Sequence, residues 1–276
     1  MSSSSTVTPP SSHVARTRPA TTDSVAIYDA YRRITGGIEG WFFDGAVAVW
    51  DALLAWQQRR RIHGNMLEIG VHHGKSAALM AMYAEPGQKV VLVDYELKPG
   101  PIEQALQAAQ PDPGVEFLTV HGDSRDLPAS QLAQTTRRSY RWIHIDGEHT
   151  GGAVASDLAT ANQLLAKDGV VVVDDFFSWL YPQVTESVLR YVRERPDDFA
   201  LFLCGFNKAY LARPHFVHEY LRMCAEELPG ALAARGQQTT VGKTTFPAEM
   251  NTFGVGPRFQ DKALRGPDWD DRTIRY

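Results

Sequence analysis

The sequence predicts an α/β fold: a mostly parallel sheet of seven strands ending in an antiparallel hairpin, with helices on both faces. Three observations predict it. Short apolar runs alternate with longer amphipathic stretches, the rhythm of strand–helix–strand units. A glycine-spaced turn, Gly70 to Gly74, stands between the first strand and the helix that follows it. Near residue 200 two apolar runs lie too close together for a crossover helix, so that pair must be antiparallel.

The elements follow in order. Residues 1–22 are Ser, Thr, Pro and Ala with few charges, a disordered tail that orders only on a partner. From Ile27 to Gln58 the pattern is helical, with Ile38, Phe42, Val47, Trp50 and Leu54 on apolar faces. Met66 to Ile69 reads as a strand and Lys75 to Tyr83 as a helix. Val90 to Val93 is a β-branched strand, and Ile102 to Ala109 a helix ended by Pro111 and Pro113. Val115 to Val120 and Trp142 to Ile145 are strands, and a long helix runs from Gly152 to Ala166. Gly169 to Val173 is a strand, and Val184 to Arg193 a helix closed by Pro196. Phe199 to Cys204 and Ala209 to Ala212 form the hairpin, across Gly205-Phe206-Asn207. Helix signals return from Val217 to Leu228, before a stretch rich in Gly, Thr and Pro. The chain thus divides into the tail, a core over 23–213 with an N-terminal helical cap, and a helical or irregular covering segment over 214–276.

Composition excludes several functions. With 43% hydrophobic and 22% charged residues, the 276-residue chain builds one sizeable core. A net charge of −4 argues against nucleic-acid binding by general electrostatics. The basic run Arg59-Arg60-Arg61 ends a helical pattern, where the helix dipole favours cations. Cys204 and Cys224 are too few and too isolated for a zinc knuckle or disulfide framework, which fits a reducing cytoplasm. No apolar run approaches a membrane span, and the Met-Ser-Ser-Ser-Ser-Thr start lacks the pattern of a signal peptide. The expected partner is a small molecule, with neither nucleic acid nor membrane.

Two constellations carry chemistry. In Leu67-Glu68-Ile69-Gly70-Val71-His72-His73-Gly74-Lys75-Ser76, Gly70 lets the backbone pass close to a ligand and Gly74 lets a helix start tightly. The spacing G-x-x-x-G is neither the dinucleotide fingerprint nor the P-loop. Asp94, 20 residues beyond Gly74, fills the place of a ribose-hydroxyl acceptor at the end of the next strand. The plainer alternative is a strand-turn-helix whose glycines serve only the turn. The second constellation is Trp142-Ile143-His144-Ile145-Asp146-Gly147-Glu148-His149 with Val170-Val171-Val172-Val173-Asp174-Asp175. Ligands of open α/β sheets lie beyond the carboxyl ends of the strands, so Asp146 and Asp174 meet there despite 28 residues between them. Clustered carboxylates repel unless a cation joins them, and hard oxygen ligands favour Mg²⁺ or a similar divalent ion. Solvated strand ends and helix caps are the alternative, easiest for Asp175. His149 suits either a metal ligand or a general base. Trp41, Phe176, Phe177, Trp179 and Tyr181 are candidate pocket aromatics.

The segment Leu67 to Ala77 resembles the cofactor motif of catechol O-methyltransferase. The chain resembles class I S-adenosylmethionine-dependent, metal-dependent O-methyltransferases, whose sheet is a Rossmann-like variant. It is closer still to bacterial sugar and natural-product enzymes of the macrocin type. Their strand ends in Asp-Gly-x-His, as Asp146-Gly147-Glu148-His149 does here. The resemblance covers roughly residues 38–213. It implies S-adenosylmethionine as cofactor and Mg²⁺ held by Asp146, Asp174 and Asp175. It implies cofactor contacts from the motif residues Glu68, Gly70 and Gly74, and from Ser76 to the methionine part. Asp94 would take the ribose, and Asp123 and Ser124 the adenine edge. The segment Ile38 to Asp44, with Glu39 and Gly40, would fold over the methyl-sulfonium end. The catechol branch places a lysine base where this chain has His149, whereas in the closer group the first metal aspartate is the proposed base. His149 and Asp146 therefore both stand as catalytic candidates. The implied activity is methylation of a hydroxyl on a sugar or natural-product intermediate. A tailoring protein of the same fold linked to hydroxylation is one alternative. A non-catalytic cofactor-binding scaffold is another, against which the full set of carboxylates plus His149 argues. A homo-oligomer is in keeping with the group.

Overall fold

The hydrophobic pattern pairs five strands in parallel in a computed structural model, which describes residues 24–244, 250–258 and 274–275. The tail expected over residues 1–22 lies outside the described residues. The strands are β1 (Asn65–Ile69), β2 (Lys89–Asp94), β3 (Glu116–His121), β4 (Tyr140–Ile145) and β5 (Leu165–Val173). Their order is β3-β2-β1-β4-β5. β7 (Lys208–Ala212) lies antiparallel to β5, and β6 (Ala200–Gly205) antiparallel to β7. Phe206 and Asn207 link β6 to β7 with φ of 48° and 66°. Two positive φ values in a two-residue link match the right-handed twist of a hairpin.

The sheet does not stop at seven strands. β9 (Phe253–Pro257) adds in parallel to β6, β8 (Thr239–Thr244) antiparallel to β9, and β10 (Ile274–Arg275) antiparallel to β8, making ten strands. The Gly- and Thr-rich stretch carries little hydrophobic alternation. The free edge of β6 supplies the hydrogen-bonding partners that its composition does not advertise.

Residues alternate between two cores. Leu67, Ile69, Val91, Val93, Ile143, Ile145, Val171 and Val173 pack with α6 (Gly151–Leu164) and α7 (Pro182–Glu194). Met66, Val90, Leu92, Trp142, Val170 and Val172 pack with α2 (Asp44–Arg59), α3 (Lys75–Tyr83), α4 (Pro99–Ala109), α8 (Val217–Glu226) and α9 (Leu228–Ala234). Burial on both faces is why the central strands read as unbroken apolar runs.

The helical run expected from Ile27 to Gln58 is two helices, α1 (Ser24–Thr35) and α2. Gly36 and Gly37 follow α1, and such a pair costs helix stability. The link between them becomes a strap at the site described below. A 3-10 helix (Ser124–Ala129) and α5 (Gln131–Thr135) were not expected, being too short and polar to show a period. Their caps are clear: Asp123 and Ser130 accept from the N–H groups of Arg125 and Ala133. Among the described residues no helix is long and apolar enough to cross a membrane.

One buried ion pair ties the C-terminal helices to the core. Past α9, Arg235 Nε donates to Asp51 Oδ2 on α2 at 2.6 Å, and Tyr83 Oη donates to Asp51 Oδ1 at 2.5 Å. Burial outweighs both partners and raises Asp51 to about 6. Removing one partner of such a pair leaves a buried charge alone. Arg235→Met should therefore cost about 3–5 kcal/mol at pH 7 in denaturant unfolding. Arg235 holds Asp51 down, so without it the carboxyl is raised above about 6 and protonates at higher pH; the cost should therefore shrink as pH falls toward about 6 and level off below it. A cost that stays constant as pH falls from about 9 to about 6 would count against Asp51 as the charge left behind.

Candidate active site

The loops that leave β1, β2, β3, β4 and β5 at their carboxyl ends, with the strap and the β6–β7 hairpin, surround one cavity of about 1150 Å³. A pocket for one small ligand measures roughly 300–1,000 Å³, so the volume leaves room for two ligands together.

The turn after β1 is held by close backbone contact. Gly70 has φ of 83°, and a Cβ there would lie 1.9 Å from the Asp146 carbonyl oxygen. Its N–H donates to Val93 O, while Asp146 N–H donates to Ile69 O at 2.7 Å. Gly70 thus serves first the meeting of three strand ends. Gly74, with φ of 80°, starts α3, and a Cβ there would press on Ala105 and Ile102 of α4. Asp94 Oδ2 accepts from the N–H groups of Val71 and His72 at 2.7 and 2.9 Å, and Oδ1 from Glu96 N–H at 2.7 Å. Asp94 lines the cavity and staples the glycine turn to β2.

Glu68, expected at the cofactor, does not line the cavity. It is fully buried, and its Oε1 accepts from the Ser76 hydroxyl and lies 2.7 Å from His144 Nδ1. Alternation along β1 turns it away from the strand end. Ser76 itself lines the cavity. On the strap, Glu39 Oε2 lies 3.2 Å from His73 Nδ1, and Gly40 O accepts from Lys75 Nζ at 2.9 Å. Asp123 and Ser124 line the cavity where β3 ends. Asp123 is held by Arg125, whose side-chain and backbone hydrogen bonds lower it to about 2.

The structure brings the acidic residues together around two histidines and a lysine. Asp174 Oδ1 accepts from Asp175 N–H, and its Oδ2 pairs with Lys208 Nζ and lies 3.7 Å from His144 Nε2. Burial alone would raise Asp174, but Lys208 and then His144 outweigh it and hold it well below the usual carboxylate range. Burial alone would lower His144, but Asp174 and Glu68 raise it to about 9. Asp146 keeps a third of its side chain exposed in the cavity, 33%. Enclosure by the protein, then the charge of Asp174, raises it to about 6. Asp175, at φ of 56°, accepts from Asn207 Nδ2 at 2.8 Å.

His149 stacks on Tyr181 with centroids 4.1 Å apart, and its carbonyl accepts from Gln183 Nε2. Its Nε2 is 2.9 Å from Asp175 Oδ2 and 3.8 Å from Asp146 Oδ1. Among the described residues it has no partner with hydrogen-bond geometry. Donor atoms of Asp146, His149 and Asp175 lie within 4.8 Å of one another, as do those of His144, Asp146 and Asp174. Groups that converge on a common space, two of them carboxylates, fit a divalent ion between them.

Sequence reasoning missed Lys208, Asn207 and the role of His144. Lys208 had one signal: a cation opening an otherwise apolar strand, Lys208-Ala209-Tyr210-Leu211-Ala212. It is buried, with Nζ 5.1 Å from the Phe42 ring centroid and 5.8 Å from that of Trp50. Of the expected pocket aromatics, Trp41, Phe177, Trp179 and Tyr181 line the cavity. Phe176 does not: it is fully buried in the core beside α6 and α7.

Residues 67–176 match the family described as methyltransferase domain (Methyltransf_24), a stretch running from β1 to just past β5. Among solved structures, the O-methyltransferase NovP is similar at 16% identity and a TM-score of 0.50, covering 69% of this chain and 99% of that one. MycE methyltransferase from the mycinamycin biosynthetic pathway, in complex with Mg, S-adenosylhomocysteine (SAH) and mycinamycin VI, is similar at 14% identity and 0.50. That match covers 68% of this chain and 54% of MycE. No curated protein matches the chain significantly in sequence. Residues 67–176 are thus similar to a methyltransferase-domain family, and the chain has the fold of solved O-methyltransferases, in line with the resemblance seen in its motifs.

The carboxylates of Asp146 and Asp175 raise His149 to about 9. A raised imidazole adds stability that is complete below about pH 6.5 and lost as pH rises through about 9. NMR titration of metal-free protein should place the His149 midpoint near 9. Saturating Mg²⁺ should lower that midpoint, since a divalent cation beside the ring opposes its protonation. A midpoint indifferent to Mg²⁺ would place the ion elsewhere.

Proposed function

We propose that this chain is an S-adenosylmethionine-dependent O-methyltransferase that works with a divalent ion, Mg²⁺ by the chemistry of the donors. Its acceptor is a hydroxyl on a small sugar-bearing or natural-product molecule. The observation that carries the reading is a single cavity lined both by the Gly70–Gly74 turn and by Asp146, Asp174, Asp175 and His149. MycE, with Mg and SAH bound in a related fold, supports it.

The residues fit the cofactor. The start of α3, with Lys75 and Ser76, offers a positive helix end to a carboxylate group. Asp94 and Glu96 offer acceptors for ribose hydroxyls, and Asp123 and Ser124, which line the same cavity, would face the adenine edge. When bound, S-adenosylmethionine supplies an activated methyl group on its sulfonium. The strap residues Glu39 and Gly40 help enclose that end and limit water.

Asp146, Asp174 and Asp175 would hold the divalent ion, which when bound would supply Lewis-acid stabilisation of negative charge on the acceptor oxygen. The two carboxylates hold His149 protonated in the metal-free protein, raised to about 9; with a divalent ion offsetting their charge, the neutral ring would take the acceptor proton at Nε2, steadied by Tyr181 and, through its backbone, by Gln183. Asp146 is the weaker base, because a cation beside a carboxylate stabilises its charged form. The protein's part is chiefly to hold two reactants in line in a partly dry space.

Formation of SAH from S-adenosylmethionine and a panel of hydroxyl acceptors tests the reading. Chelation should abolish turnover and Mg²⁺ should restore it; full activity after exhaustive metal removal would refute metal dependence. His149→Ala should lower kcat by roughly 10²–10⁴-fold while SAH affinity, measured by calorimetry, stays nearly unchanged. If kcat instead survives and Mg²⁺ affinity falls, His149 is a metal ligand and not the base.

A further inference from the structure

The described residues expose seven large apolar side chains: Trp41, Phe43, Tyr95, Phe177, Trp179, Leu180 and Met250. All but Met250 line the cavity described above. Trp179 is 90% exposed and Trp41 85%, values that are costly in water without a purpose. They come from separate segments: the strap, the turn after β2, and the loop that follows Asp174-Asp175. The last is built to present its rings. Phe177 is held at φ of 70°, in the left-handed region, and its N–H donates to Thr185 Oγ1 at 2.8 Å.

The charge of the lining points the same way. Eight acids line the cavity: Glu39, Asp94, Glu96, Asp123, Asp146, Glu148, Asp174 and Asp175. Against them stand four cations, and three of these are committed. Lys75 bonds Gly40 O, Arg125 clamps Asp123, and Lys208 pairs with Asp174. Only the Lys98 ammonium has neither ion pair nor hydrogen bond to the protein among the described residues. Convergent Arg or Lys donors, which commonly clamp a pyrophosphate, are reduced here to the single uncommitted Lys98 ammonium.

We infer that the acceptor is an uncharged or cationic molecule with a broad apolar or aromatic face, clamped by this rim. A sugar still linked to a nucleoside diphosphate is disfavoured. Methylation then follows the reaction class that joins the sugar to its apolar carrier, and does not precede it. This rests on the methyltransferase reading for the identity of the cavity, but its test reads binding without turnover.

2-Naphthyl β-glucoside and UDP-glucose carry the same sugar on opposite kinds of carrier. Their binding is compared in the full chain with SAH and Mg²⁺ by calorimetry. The naphthyl glucoside should bind at least tenfold tighter. Trp179→Ala and Phe177→Ala should each weaken it fivefold or more and leave UDP-glucose unaffected, with thermal melts confirming that both variants fold. UDP-glucose binding as tightly, absence of naphthyl glucoside binding, or indifference to both substitutions would overturn the proposal. SAH binding alone, measured first, reports on the methyltransferase reading: its failure with naphthyl glucoside binding intact would sink that reading and leave the rim's specificity standing.

Discussion

The ion pair between Lys208 and Asp174 anchors the site. It puts a cation in the floor of the cavity, between a carboxylate and the faces of Phe42 and Trp50. Without it Asp174 would share a small volume with Asp146 and Asp175, and mutual repulsion would favour protonation of at least one. With it Asp174 stays ionised, and so the burden of like charge falls on Asp146, raised to about 6. The pair also links distant parts of the chain. Lys208 opens β7, Asp174 directly follows β5, and His144 on β4 passes the chain of charges inward to Glu68 on β1. Four neighbouring strands are thereby joined through side chains as well as through the sheet.

Such a chain has a cost and a use. Buried charges are expensive even when paired, so the network is weak evidence for extra stability. Its use is orientation: each member has its partner on a different strand, so a shift of any strand breaks a bond. Ser76, at the start of α3, joins the same network through Glu68. The groups proposed to face the cofactor and those proposed to face the metal thus rest on one set of charges.

The sequence made the frame legible where physics is local. Unbroken valines in Val170 to Val173 announce a strand buried on both faces, and the aspartates that follow announce its exit into a ligand site. Gly70 and Gly74 announce a tight turn. The rest depended on tertiary neighbours. Glu68 sits inside a cofactor-like motif, yet strand alternation turns it into the core. Phe176 and Phe177 are adjacent and equally aromatic, but one is buried and the other exposed. Lys208 acquires meaning only when the hairpin folds back beside β5. The strands β8 and β9 have weak patterns of their own and exist because an edge was waiting for them.

Gly70 has a consequence for how this scaffold can diversify. The Asp146 carbonyl fills the space where any side chain at Gly70 would go. The donor turn and the acid-bearing loop are therefore one mechanical unit, and neither can be remodelled alone. The strap and the loop after β5 carry no such constraint against each other. They are the interchangeable parts, free to trade one acceptor shape for another while the chemistry beneath keeps its geometry.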